Sequence, residues 1–151
     1  MEALIASMKV LIDTNIMIDA LTNRDGRSGF SATVIDLCAK QVIDGYVALH
    51  SISNMYYILR KQYSDAERRT ILKRYNEILK VAEVGNDVVD TAINNTAISD
   101  YEDALQYACA ETVGADYIVT RNIKDYGKRP MIIFNISYVG GFDDDTYYGD
   151  R

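Results

Sequence analysis

The sequence predicts an α/β fold, a three-layer α/β/α sandwich built around a mainly parallel central sheet. Short apolar segments alternate along the chain with longer segments in which apolar residues recur at helical spacing. The segments "KVLI" and "YIVT" are apolar at nearly every position, as expected of strands that helices cover on both faces. The sequence shows no internal repeat and no interdomain linker, so we expect a single domain over residues 1–151.

The first half of the chain alternates strands and helices from its start. In chain order we predict a strand at 8–12, a helix at 14–21, a polar loop at 22–29, a helix at 31–44, a strand at 46–50 and a helix that ends near 62. Gly45 is expected to stop the second helix, and Ser51 or Ser53 to cap the third.

The second half continues this alternation and carries clearer helix boundaries. "SDAE" at Ser64 fits a capping box, and Gly114 is expected to end the helix that precedes "YIVT". We predict helices at 64–79, 87–95 and 101–113, and strands at 81–84, 117–120 and 131–134. Residues 1–7 are expected to form an N-terminal extension, and residues 135–151 a polar, acidic C-terminal tail.

Composition and charge restrict the class of protein. The hydrophobic fraction of 48% is typical of a soluble globular protein, and no apolar run is long enough to cross a bilayer. We therefore expect a cytoplasmic protein with no membrane partner. The net charge of −6 argues against a protein that coats nucleic acid, because such proteins are basic. Cys38 and Cys109 lie in helix-like apolar segments that predict buried free thiols, and a single histidine, His50, argues against zinc.

Acidic side chains stand where the predicted strands end. Asp13 follows the first strand, Asp100 and Asp103 open the helix before "YIVT", and Asp125 lies shortly after that strand. Ligands of parallel sheets bind outside the carboxyl ends of the strands, so we expect these carboxylates to converge. Converging carboxylates repel one another unless a cation neutralises them, and oxygen ligands suit Mg²⁺ or Mn²⁺. Such an ion activates water for attack on a phosphodiester.

Each of these acids also has a structural interpretation. Asp13 is equally placed to cap the helix that follows it, and Asp125 to be an ordinary loop residue. Asp100 and Asp103 fit the cap and first turn of a helix, where carboxylates interact favourably with the helix dipole. Their joint position at strand ends favours a common site over four separate structural roles.

Two segments resemble a known family. "VLIDTNIMIDAL" and, later, "DALQYACAETVGADYIVTRNIKDY" look like the beginning and end of a PIN domain, the nuclease fold of VapC-type toxins. The resemblance covers most of residues 8–134 and implies the PIN fold. It also implies that Asp13 is the first metal-binding carboxylate and Asp103 the acid of the later helix, with Asp100 as an additional acid nearby. Thr120 matches the hydroxyl residue close to the metal.

Two positions depart from the PIN pattern. The family usually carries a glutamate on the helix after the second strand, and the matching residue here is Asn54. The final acid of the pattern, expected in "TRN", is Asn122. Asparagine offers a carbonyl oxygen but no charge, so this site binds a divalent cation more weakly unless Asp100 and Asp125 make up the deficit.

Basic residues follow the strand "YIVT" and lie beside the predicted site. Arg121 and Lys124 are candidate ligands for substrate phosphates, although a solvated basic surface is the alternative. The basic residues of "AERRTILKRYNEILK" fit the exposed face of an amphipathic helix.

These features predict a divalent-metal-dependent endoribonuclease, and the resemblance implies the toxin of a toxin–antitoxin pair. The implied partners are an RNA substrate, an antitoxin protein and a second copy of the chain in a homodimer. Asp13 and Asp103 are the expected principal ligands, and Asp100 and Asp125 the supporting catalytic acids. The residues expected to surround and orient them are Asn15, Asn54, Thr120 and Asn122.

Two other classes of protein stay open at this stage. The first is a PIN-fold RNA-binding or protein-interaction module without catalysis, motivated by Asn54 and Asn122 in place of acids. The second is a phosphoryl-transfer enzyme of another α/β type, which requires a lysine after a later strand. Lys124 matches that requirement poorly.

Overall fold

A computed structural model of the protein describes residues 8–22, 28–121, 132–135 and 147–148. Within these residues, six strands form one sheet in the spatial order β3-β2-β1-β4-β5-β6. The strands are β1 (Lys9–Ile12), β2 (Asp44–Val47), β3 (Lys80–Val81), β4 (Tyr117–Thr120), β5 (Ile132–Asn135) and β6 (Tyr147–Tyr148). Strands β1 to β5 are parallel, and β6 pairs with β5 in the antiparallel sense.

Strand order reverses at β1, and this reversal positions the site. The chain runs from β1 outward through β2 to β3, and then returns to the other side of β1 with β4. Ile12 stands opposite Val119 in the β1–β4 register, so the carboxyl ends of the two central strands lie side by side. Such a switch point is where open parallel sheets bind their ligands.

Helices cover both faces of the sheet, which confirms the predicted three-layer architecture. They are α1 (Thr14–Thr22), α2 (Ser28–Ala39), α3 (Leu49–Ile58), α4 (Asp65–Ile78), α5 (Asn86–Asn94) and α6 (Tyr101–Val113), with a 3₁₀ turn at Leu59–Lys61. Helices α1 to α4 contribute to one buried cluster, and α5 and α6 to the other.

Strand β1 shows why its sequence is apolar at consecutive positions. Val10 and Ile12 point into the first cluster, whereas Leu11 points into the second. Each of the three is at most 3% exposed. Burying one such side chain contributes about 1.5–3 kcal/mol relative to leaving it in water. A strand buried on both faces therefore needs apolar residues at odd and even positions alike.

The second helix ends earlier than predicted, and Gly45 has a different role. Helix α2 stops at Ala39, where Gln41 adopts a left-handed φ of 59° and Val42 N donates to Leu37 O at 3.0 Å. This is a Schellman-type end without glycine. Gly45 lies inside β2, where a Cβ atom would come within 2.5 Å of Cys38 Sγ. Glycine is required there by close packing, not by helix termination.

The third helix begins earlier than predicted. Its cap is Ala48, which offers no side-chain hydrogen bond, and His50 lies in the first turn of the helix and not in β2. The prediction that Ser51 or Ser53 caps this helix was wrong. Ser51 is fully buried and hydrogen-bonds to another helix.

Other boundaries agree closely with the prediction. The capping box of Ser64 and Glu67 is present in both directions, and Gly114 ends α6 with a left-handed φ of 69°. Both cysteines are free and buried. No helix in the described ranges is long and apolar enough to cross a membrane. Tyr147–Tyr148, in the predicted acidic tail, extend the sheet as β6.

Candidate functional site

Asp13 lies at the carboxyl end of β1, directly before α1. Its backbone N–H donates to Val119 O at 3.1 Å, which continues the β1–β4 pairing by one residue. Its carbonyl oxygen accepts from Ile16 N at 3.0 Å, and its Oδ1 accepts from Thr14 N at 2.8 Å. Asp13 therefore ends the strand and starts the helix, while Oδ2 faces neighbouring elements.

Two uncharged side chains hold the Asp13 carboxylate in place. Thr120 Oγ1, at the end of β4, donates to Asp13 Oδ2 at 2.9 Å. Gln106 Nε2, on α6, donates to Asp13 Oδ1 at 3.4 Å. Thr120 is fully buried and Gln106 is 2% exposed, so both donors lie in the protein interior. The predicted position of Thr120 beside Asp13 agrees with this geometry.

The surroundings of Asp13 favour a nearby positive charge. Burial raises the pKa of the Asp13 carboxyl, and this effect exceeds the lowering by the hydrogen bonds from Thr120 and Thr14. Negative charge on Glu102 raises the pKa further, whereas Arg121 lowers it. A carboxylate in such a place is costly to ionise, and a cation beside it would offset that cost.

Gln106 belongs to a buried hydrogen-bond chain that the sequence analysis missed. Ser51 Oγ, on α3, donates to Gln106 Oε1 at 3.2 Å. Because Ser51 donates to the oxygen, the amide nitrogen of Gln106 is turned toward Asp13. A signal was available: Gln106 is the polar residue inside the segment "ALQYACA", most of which is buried.

The acids that open α6 reach the same place as Asp13. Asp100 is the N-cap of α6, and its Oδ1 accepts from Asp103 N at 3.1 Å. Both also line an open cleft of about 440 Å³. The residues that line this cleft are Asp13, Thr14, Asn15, Asn54, Tyr57, Ile58, Asp100, Glu102 and Asp103. Asp100 thus has the predicted capping role and also lies in the predicted site.

Glu102 is the acid of this cleft that sequence reasoning did not select. Asn54, on α3, donates from Nδ2 to Glu102 Oε1 at 2.9 Å. The two residues are 48 positions apart, so their contact is a product of the tertiary fold. The only sequence signal was the second of the three acids in "DYED", which fits equally well as a first-turn residue of α6.

Of the remaining predicted site residues near the end of β4, the structure describes Arg121 alone. Arg121 Nε forms an ion pair with Asp19 Oδ2 of α1 at 3.0 Å. Its side chain is only 16% exposed, and Asp19 is fully buried. Arg121 therefore has a structural partner, and its binding to phosphate stays a prediction. Asn122, Lys124 and Asp125 lie outside the described residues.

The donor atoms of the cleft fit a hard divalent cation by chemistry. They are carboxylate, amide and hydroxyl oxygens, the ligands that Mg²⁺ and Mn²⁺ prefer. Within the described ranges, no three carboxylate, imidazole or thiol groups are close enough together to form a ready-made metal cluster. Mg²⁺ is commonly held by one or two protein carboxylates and several waters, so the fit does not depend on a third. Thr14 also lines the cleft, and its buried Oγ1 lacks a hydrogen-bond partner among the described residues.

Comparison with known proteins agrees with this geometry. A family model described as "PIN domain" matches residues 9–124. No curated protein matches the sequence significantly. Among solved structures, a toxin–antitoxin complex from Klebsiella pneumoniae is 17% identical with a TM-score of 0.67. That match covers 86% of this chain and 99% of the other.

Two further solved structures share the fold. VapBC2 from Rickettsia felis, bound to a DNA fragment from its promoter, is 17% identical with a TM-score of 0.65. The match covers 83% of this chain and 97% of that one. VapC20 from Mycobacterium tuberculosis, a toxin that cleaves the sarcin–ricin loop, is 15% identical with a TM-score of 0.56. It covers 72% of this chain and 86% of its own.

Proposed function

Because this chain belongs to the PIN domain family, we propose that it is a divalent-metal-dependent endoribonuclease and the toxin of a toxin–antitoxin pair. The observation that carries the proposal is the position of Asp13. A partly buried carboxylate at the carboxyl end of a central strand shares a cleft with the acids that open α6, and within the described residues all its hydrogen-bond donors are neutral. A carboxylate in this setting suits a cation better than it suits a structural role.

Oxygen ligands on β1 and α6 would hold the ion. Asp13 and Asp103 are the proposed principal ligands, with Asp100 and Asp125 as supporting acids. PIN-domain nucleases generally use divalent metals, and a bound Mg²⁺ or Mn²⁺ supplies an activated water and stabilises charge on the phosphodiester. The neutral residues Asn15, Asn54 and Asn122 surround these ligands in the proposal.

The protein's own side chains fix the Asp13 carboxylate before substrate arrives. Thr120 holds Oδ2, and Gln106 together with Thr14 N holds Oδ1. Each donor is fixed by an element of the core, so the carboxylate has little rotational freedom. Such preorganisation lowers the cost of assembling a reactive geometry.

The substrate and partners that we propose are those implied by membership of the PIN domain family. We assign Arg121 and Lys124 to substrate phosphates, since both follow β4 closely in the sequence. The toxin–antitoxin complexes with the same fold support an antitoxin partner. We also propose that the protein forms a homodimer and is located in the cytoplasm.

The decisive experiment is RNA cleavage in the presence of Mn²⁺ by the parent and by Asp13→Asn. Asparagine keeps the shape of the side chain but removes its charge, so we expect cleavage to fall by about 100-fold or more. The matched control is Asp90→Asn, which removes an exposed carboxylate from α5 and should cleave like the parent. Equal activity of Asp13→Asn and the parent would remove Asp13 from the mechanism.

A second function is supported by one observation. Since the described residues gather no cluster of three metal-binding groups, the chain also fits a PIN-fold module that binds RNA or protein without catalysis. Calorimetry with Mn²⁺ separates the two functions. Micromolar binding that is lost in Asp13→Ala supports the nuclease, whereas the absence of Mn²⁺ binding by the parent supports the module.

A further inference from the structure

We propose that Glu102 replaces the acid that α3 lacks, and that its carboxylate is a ligand of the divalent cation in the cleft. The inference rests on the proposed function and adds a residue to it. The PIN pattern places a glutamate on the helix after the second strand, where this chain has Asn54. The structure supplies a carboxylate at that place from a different helix.

The contact between the two residues locates this carboxylate. Asn54 Nδ2 on α3 donates to Glu102 Oε1 on α6 at 2.9 Å. The negative charge of Glu102 therefore lies at hydrogen-bond distance from Asn54, the residue that stands where the PIN pattern has a glutamate. Both residues line the cleft that also contains Asp13 and Asp103.

The Glu102 carboxylate has no ion-pair partner within the described residues. In the described part of the chain, its only hydrogen-bond partner is the uncharged Asn54 amide, which contacts Oε1 and leaves Oε2 available. Asp100 differs, because its Oδ1 already accepts from Asp103 N as the cap of α6. Glu102 thus contacts a side-chain amide on α3, whereas Asp100 contacts the backbone of its own helix.

A second observation at the same cleft also points to a ligand. Thr14 is 5% exposed and lines the cleft, and its Oγ1 has no hydrogen-bond partner among the residues described. Buried polar groups are nearly always paired. A hydrated cation between β1 and the start of α6 would provide this hydroxyl with a partner.

The test is calorimetric titration of Mn²⁺ into four full-length proteins. They are the parent, Glu102→Gln, the exchange variant Asn54→Asp/Glu102→Gln, and the control Glu111→Gln. We expect Glu102→Gln to weaken Mn²⁺ binding by about tenfold or more, since even residues that only orient metal ligands have effects of this size. Glu111 lies exposed at the other end of α6, so its variant should bind Mn²⁺ like the parent.

The exchange variant makes the test specific to the position of the charge. It places a carboxylate on α3 and an amide on α6. The two side chains can still form a hydrogen bond, with residue 102 as the donor and residue 54 as the acceptor. We expect it to regain most of the lost affinity. An exchange variant as weak as Glu102→Gln would overturn the claim that the two positions share one place at the cation.

Asp13→Asn separates failure of this inference from failure of the proposed function. Loss of Mn²⁺ binding in Asp13→Asn, together with parent-like binding in Glu102→Gln, would overturn only the role of Glu102. Absence of Mn²⁺ binding by the parent would overturn both. Thermal unfolding of each variant without metal verifies that it is folded, and the exposed position of Glu102 makes a folding defect unexpected.

Discussion

Asp13, just before α1, is a partly buried carboxylate, whereas Asp19, within α1, is fully buried, and the two have different partners. Asp19 is fully buried in α1 and forms an ion pair with Arg121 at 3.0 Å. Asp13, one residue before α1, accepts hydrogen bonds from an amide, a hydroxyl and a backbone N–H. Asp19 has a cation supplied by the protein, whereas Asp13 has only neutral donors at hydrogen-bond distance among the described residues.

This difference distinguishes a structural charge, Asp19, from a charge that we propose to be functional, Asp13. A buried ion pair is balanced within the chain, so its loss should affect stability first. A buried carboxylate held by neutral groups is costly in the folded protein and is retained where function requires it. Variants of the two residues should therefore have opposite effects on stability and activity.

The largest expected effect is on the structural charge. Asp19→Asn leaves the largely buried Arg121 guanidinium without its counter-ion and should lower the free energy of unfolding by about 3–5 kcal/mol. Urea denaturation at neutral pH measures this loss. The control, Asp36→Asn, breaks an exposed pair with Lys40 and should change stability little. Equal stability of both variants would show that burial does not distinguish the two pairs.

Gln106 should affect both stability and activity, because it is a buried residue that donates a hydrogen bond to Asp13, the proposed metal ligand. Gln106→Leu keeps the approximate volume but leaves Ser51 and Asp13 without their buried partner. We expect a loss of about 1–3 kcal/mol in unfolding free energy and weaker RNA cleavage. Gln62→Leu, at an exposed site, is the control. Parent-like stability and cleavage in Gln106→Leu would mean that the 3.4 Å contact to Asp13 contributes nothing.

Cys38 shows what burial does to a group that can remain neutral. Burial raises the pKa of its thiol from 9.0 to about 12. Between these values the unfolded chain loses the proton and the folded chain keeps it, so stability falls as pH rises. The slope from Cys38 should approach about 1.4 kcal/mol per pH unit above pH 9. Denaturation at pH 8 and pH 10 should show a shallower pH dependence in Cys38→Ala, and equal dependence would contradict the shift.

The smallest expected change is the stability of Asp13→Asn. Removing a partly buried charge that has no ion pair among the described residues, while keeping the shape of the side chain, should leave the free energy of unfolding unchanged or raise it by about 1 kcal/mol. The same variant is expected to lose RNA cleavage. Thermal unfolding without added metal measures the stability, with Asp90→Asn as reference. A loss as large as that of Asp19→Asn would assign Asp13 a structural role.

Sequence reasoning located the parts of the site that depend on strand ends. Asp13 and Thr120 follow apolar strands, and parallel pairing of β1 with β4 brings such positions together. Both ends of α6 were equally predictable, because Asp100 is a residue type that caps helices and Gly114 readily adopts the left-handed conformation that ends them. These features depend on local pattern and on one rule of sheet topology.

The features that sequence reasoning missed depend on distant contacts between side chains. Ser51 was expected to cap α3, yet it bonds to Gln106, 55 positions away. Asn54 and Glu102 meet only because α3 and α6 border the same cleft. Local signals do not encode such pairings, and the close packing of Gly45 against Cys38 was hidden for the same reason.

The hydrogen bond from Thr120 to Asp13 joins residues 107 positions apart, and this separation governs when the site can exist during synthesis. Bringing such distant segments together carries a large loop-closure cost, which is recovered only when the central strands pair. A growing chain that has not yet reached β4 lacks Thr120, and its Asp13 has no neighbouring strand on that side. Assembly of the cleft should therefore coincide with completion of the fold, so that a nascent or partly folded chain carries no competent site.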